Sequence, residues 1–117
     1  MTSSYMADEL VRFVDSNGGS LMHQLVDHVE GSGVGTLHFI EWSPKVVLWT
    51  NVSEKFVEAF SLAYPRLEMR RCNPLMYAAF ADEWPSLPIV TSAEFATRPV
   101  YDSLHWLPAV FFRSTVA

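Results

Sequence analysis

Chain breakers recur at short intervals along this sequence. Asn17-Gly18-Gly19, Gly31-Ser32-Gly33-Val34-Gly35, Ser43-Pro44-Lys45, Pro65, Asn73-Pro74 and Arg98-Pro99 punctuate it. Proline removes an amide donor, and glycine carries a high backbone-entropy cost inside a helix or strand, so each element must fit between these points. The intervals suit helices of a few turns and strands of about five residues. No apolar stretch approaches the ~20 residues that a membrane-spanning helix requires.

Between the breakers, apolar spacing assigns the elements. Ser4 is expected to cap a helix from Tyr5 to Ser16, with Met6, Leu10, Phe13 and Val14 along one side. Ser20 reads as the cap of a second helix, Leu21 to Glu30, with Leu21, Met22, Leu25, Val26 and Val29 as its stripe, and the two make an αα-hairpin. Thr36 to Trp42 and Val46 to Thr50 are β-forming runs on either side of Ser43-Pro44-Lys45, which predicts a hairpin. Asn51 or Ser53 opens a third helix that ends near Tyr64 at Pro65. With Ser53 as cap, Val52 and Val57 can form a hydrophobic staple.

Leu67 to Cys72 alternates as a third strand. Asn73-Pro74 sets a capping side chain before a proline suited to the first helical position, predicting a helix from Leu75 to about Asp82. Trp84 to Pro88 is a proline-braced irregular crossing. Thr91-Ser92-Ala93-Glu94 has the capping-box pattern of a short helix ending before Arg98-Pro99. Val100 to Pro108 shows no regular period, and Ala109 to Thr115 is a final strand expected in a central or interface-facing place. This order predicts an α+β fold, a small mixed or antiparallel sheet of three to five strands packed against helices, in one domain over residues 1–117. Only the connection through the third helix has the length for a parallel crossover.

Whether such a domain can cover its own apolar surface depends on composition. Half of the 117 residues are hydrophobic and 18% are charged, against roughly 25% charged in ordinary globular chains. A domain this small leaves much of its area exposed, so surplus apolar side chains are expected to meet a partner, and a homodimer supplies one most simply. The competing reading is a filled core with scattered surface apolar residues. The formal charge is −5 with no basic run longer than Arg70-Arg71. Nucleic acid needs a clustered basic face, so it is not an expected partner, and neither is a membrane. Met1-Thr2-Ser3-Ser4 lacks the basic and apolar regions of a signal peptide, and a cytoplasmic location is expected. There the lone Cys72 reads as a small buried hydrophobe, and the sequon Asn51-Val52-Ser53 has no consequence.

No motif identifies a reaction. The glycines at 31, 33 and 35 follow a helix and precede a strand, the reverse of a nucleotide loop, and no Gly-Lys-Ser/Thr occurs. His23 and His28, five apart, point in different directions from a helix, so no metal site is expected and no cofactor is implied. His23 and Asp27, four apart, can meet as an acid/base pair, against the alternative of a solvated helix face. Cys72 with His38 or His105 has no local support as a nucleophilic pair. Asp82-Glu83 reads as a solvated helix end. Trp42, Trp49, Trp84 and Trp106 offer the material for an aromatic ligand cleft, and equally for core or interface. The leading expectation is therefore a non-enzymatic binding or interaction protein that presents an aromatic cleft or surface to a small apolar ligand or a protein partner. The alternative is a small acid/base enzyme using His23 and Asp27.

Overall fold

The computed structural model describes residues 2–29, 38–81 and 83–114, so the expectations for Glu30, the glycines at 31, 33 and 35, Thr36, Asp82 and Thr115 lie outside the described residues. Helix α1 spans Ser3–Asn17, and its cap is Thr2 rather than Ser4, the Thr2 hydroxyl accepting from the Tyr5 amide at 3.1 Å. The apolar side of α1 is buried as its spacing predicts, through Met6, Leu10 and Val14. Its end is a left-handed turn. Gly18 has φ 65°, and the Gly19 amide returns to the Val14 carbonyl at 3.2 Å. Gly19 has φ 126°, a conformation that favours glycine, and a Cβ there would stand 2.7 Å from a Phe112 ring carbon, so that ring would have to shift.

The chain then extends for two residues as β1 (Ser20–Leu21) before α2 (Met22–His28). This displaces Ser20 from its expected role. Its backbone pairs antiparallel with Phe111 of the strand β6 (Ala109–Arg113), and Leu21 takes the cap position without a capping side chain. One local and one distant group serve the amides at this helix start: Gln24 Oε1, from the first turn of α2, accepts from Leu21 N at 2.8 Å, and the Tyr77 hydroxyl accepts from Met22 N at 3.0 Å. The expected αα-hairpin thus has a strand inside its connection, although α1 and α2 still touch.

Strands β2 (Phe39–Ser43) and β3 (Val46–Thr50) form the expected hairpin, with register shifts beside Glu41. Helix α3 (Glu54–Ala63) is capped by Ser53, whose hydroxyl accepts from Phe56 N at 3.1 Å, and Pro65 converts its end into a 3-10 turn over Tyr64–Arg66. Strand β4 (Leu67–Arg71) follows, then α4 (Leu75–Phe80), where Asn73 Oδ1 accepts from Leu75 N at 3.0 Å. In α5 (Ser92–Thr97) the box closes both ways, Thr91 Oγ1 accepting from Glu94 N and Glu94 Oε1 accepting from Thr91 N.

The strands make two three-stranded sheets where one was expected. In the first, β6 lies between β1 and β4, all antiparallel, which gives the final strand its central place. In the second, β3 lies between β2 and a two-residue strand β5 (His105–Trp106), paired parallel to β3. The region without a period hid β5, because its pairing partner lies across the chain and not beside it. Helix α3 joins β3 of one sheet to β4 of the other, so it is not a crossover between parallel neighbours. One cluster of buried side chains joins both sheets to the helices, through Leu10, Leu25, Leu48, Phe56 and Phe111 among others. No helix among the described residues is long and apolar enough to cross a membrane.

Candidate functional site

Helical spacing places His23, Val26 and Asp27 on one side of α2. That side forms one wall of a cleft of about 410 Å³. The end of β3 supplies Trp49, Thr50 and Asn51, and the crossing after α4 supplies Glu83, Trp84 and Pro85. Asn51 has φ 57°, a left-handed conformation that asparagine tolerates, at the point where the chain turns out of β3. The cleft therefore unites His23 and Asp27 with Trp49 and Trp84, drawn from opposite readings of the sequence. Glu83, expected on a solvated helix end, lies beyond α4 and joins this lining.

Tyr77 organises the cleft from beneath. Its ring stacks on Trp49 at 5.6 Å and meets Trp106 edge-on at 5.0 Å and His23 edge-on at 5.7 Å. Its hydroxyl donates to the Ala109 carbonyl at 2.6 Å while accepting from Met22 N, so one buried atom ties α2 to β6. Burial pushes the Tyr77 phenol above its ordinary value, with the Met22 amide opposing. Sequence reasoning passed over this residue, because nothing local distinguishes it from the other apolar residues of α4.

The remaining candidates are dispersed. Trp106 is 1% exposed and donates its Nε1 hydrogen to the Leu48 carbonyl at 3.2 Å, which places it in the core. Trp84 is 45% exposed at the edge of the cleft. Trp42 lines a second cleft of about 370 Å³ with Val46, Val90, Phe95, Arg98 and Tyr101. His28 stacks on Phe13 and stands 3.5 Å from Glu9, while His105 stacks on Tyr101 at 3.8 Å. His38 is exposed near the start of β2. The Cys72 thiol is free and buried, and burial raises it above its ordinary value against the pull of Arg71.

Two features of the first cleft bear on its chemistry. Among the described residues, His23 Nδ1 is buried with no hydrogen-bond partner, so Asp27 does not orient the imidazole through that nitrogen. The described ion pairs join Glu9 to Arg12, Glu9 to His28, Asp8 to Arg66, Glu68 to Arg70 and Asp15 to Arg113. Asp27 and Glu83 are in none of them, and among the described residues no lysine or arginine lines the cleft. No group of three or more potential metal ligands occurs among the described residues. Comparison of the chain with family models, with curated proteins and with solved structures finds no match in any of the three.

Proposed function

We propose that this is a binding protein without a reaction of its own, and that the cleft between Trp49 and Trp84 takes a small ligand with an apolar body and a positively charged group. The observation that carries the reading is the pairing of two indoles with two carboxylates that have no cationic partner among the described residues. Indole faces attract cations, carboxylates complete the attraction, and a net charge of −5 favours approach. The sequence alone suggested an apolar ligand. The polar side chains beside the tryptophans add the charge.

Phenethylamine and its neutral counterpart 2-phenylethanol test this, with the tryptophan indole ¹⁵N–¹H resonances as the readout. The amine is expected to move the Trp49 and Trp84 signals and to bind more tightly than the alcohol. Asp27→Asn and Glu83→Gln are each expected to weaken it about two- to fivefold, the worth of an exposed ion pair. Equal binding of amine and alcohol, or indifference to both substitutions, would remove the reading.

The acid/base alternative has in its favour that His23 and Asp27 share this cleft. It lacks the orienting hydrogen bond on Nδ1, and the other three histidines lie elsewhere. An activity abolished by His23→Ala in a folded protein would restore it.

The same reading includes self-association. Helix α4 exposes Leu75 at 71% and Met76 at 42%, with Ala78 and Ala79 also exposed, an apolar face that a second copy can cover. It also assigns the protein to the cytoplasm, where a lone thiol stays reduced.

A further inference from the structure

The second cleft differs from the first in the charges that line it. Trp42 forms its wall, held by a hydrogen bond from its Nε1 to the Tyr64 hydroxyl at 3.1 Å and by packing against Phe95 at 5.6 Å. Val46 and Val90 extend the apolar lining. Two charged side chains of opposite sign also line it, Glu94 and Arg98, four apart on and just beyond α5. That spacing commonly produces an ion pair. Here the two are committed differently.

Glu94 is already engaged by local donors. Its Oε2 accepts from the Tyr101 hydroxyl at 2.9 Å, and its Oε1 accepts from the Thr91 hydroxyl at 3.0 Å and the Thr91 amide at 3.3 Å. Those bonds hold its carboxyl below the usual range, that of Tyr101 most strongly. Arg98 caps α5 in a left-handed conformation, φ 49°, with its amide on the Glu94 carbonyl at 2.7 Å. This turn carries its guanidinium over the Trp42 ring, 5.6 Å from the centroid. Among the described residues no carboxylate pairs with it. A guanidinium resting on an aromatic face keeps its donor edge free for a planar anion.

We propose that this cleft is a second ligand site, selective for a carboxylate on an apolar or aromatic body, with the body against Trp42 and Phe95 and the carboxylate on the Arg98 fork. The volume of about 370 Å³ lies near the lower end of the ~300–1,000 Å³ of ligand pockets, which suits an aryl-alkanoate better than a long-chain lipid. The inference stands apart from the amine reading of the first cleft, since the two sites share no lining residue.

The test uses the full chain with 4-phenylbutyrate and its neutral amide, followed through the indole resonances, with the Trp42 signal assigned by its loss in Trp42→Phe. The carboxylate is expected to move the Trp42 signal and leave those of Trp49 and Trp84 in place. Arg98→Gln should weaken the carboxylate about tenfold and leave the amide unchanged. Arg98→Lys, which keeps the charge without the fork, should fall between, and it supplies the measurement if the glutamine variant does not fold. Equal affinity for carboxylate and amide in the wild-type chain overturns the proposal. So does absence of a Trp42 shift, or carboxylate binding that survives loss of the arginine.

Discussion

Removing one oxygen atom, in Tyr77→Phe, tests how the cleft is held to the core. The ring keeps its contacts with Trp49, His23 and Trp106, so the substitution isolates the hydroxyl. That hydroxyl serves two main-chain groups, Met22 N and Ala109 O, in residues that are 0% and 1% exposed. Met22 N is a first-turn amide of α2 with no partner inside its own helix, and leaving it unpaired in a dry site costs about 1–3 kcal/mol. The carbonyl retains a second lone pair, and loss of its bond adds about 1 kcal/mol. Together the loss is ~2–4 kcal/mol. With an unfolding entropy of ~2.1 cal/mol/K per residue over 117 residues, the melting temperature should fall by about 8–16 °C. Urea unfolding gives the free energy, and hydrogen exchange should show the Met22 amide losing protection. A loss below ~1 kcal/mol at unchanged m value, or a Met22 amide as protected as before, would refute the argument. Alkaline pH adds a second signature. Burial raises the folded-state phenol above its ordinary 10.0, so the unfolded chain gives up this proton first. The Tyr77 contribution is therefore whole below about pH 10 and declines above it by ~1.4 kcal/mol per pH unit until the folded phenol itself ionises. Tyr77→Phe should lack that component of the alkaline loss.

Two further outcomes follow from described geometry. Gly19→Ala should cost about 2–4 kcal/mol, combining a forbidden φ with a clash on the Phe112 ring, whereas Gly18→Ala, with open space around its Cβ, should cost only about 1 kcal/mol; urea unfolding of both variants compares them. Sedimentation should find the wild-type chain self-associated and Leu75→Lys shifted toward monomer. A wild-type chain that stays monomeric at its highest attainable concentration would remove the homodimer from the reading.

The elements that could be read from sequence are those whose defining contacts are local. Ser53, Asn73 and the Thr91–Glu94 box each bond an amide within three residues, so short-range pattern suffices to find them. The two-residue strands obey no local rule, since Ser20 pairs with Phe111 and His105 with Val46. The same contrast governs the site. The i to i+4 spacing of His23 and Asp27 gives them a common helix side, but nothing in the chain says that Trp49 and Trp84 face that side while Trp106 does not. Trp106 is distinguished by the Leu48 carbonyl that receives its indole hydrogen, a partner 58 positions away. Arg98 was visible only as a helix stop before proline. Its place over Trp42 depends on a left-handed turn that propensity assigns to glycine or asparagine and that here falls to an arginine.

Residues 105–113 feed both sheets, β5 at the edge of one and β6 at the centre of the other, joined only by the buried pair Leu107-Pro108. Even that link is bonded on each side, Leu107 N to the Val47 carbonyl and Cys72 N to the Pro108 carbonyl. In a chain made from its N-terminus on the ribosome, the central strand of the first sheet is then the last of its three to be made, and the second sheet gains its edge strand β5 just before it. While residues 105–113 remain in the exit tunnel, β1 and β4 have no strand between them and β3 leaves one edge open. The nascent helices must hold that apolar surface unsealed until one late segment arrives to close both layers together.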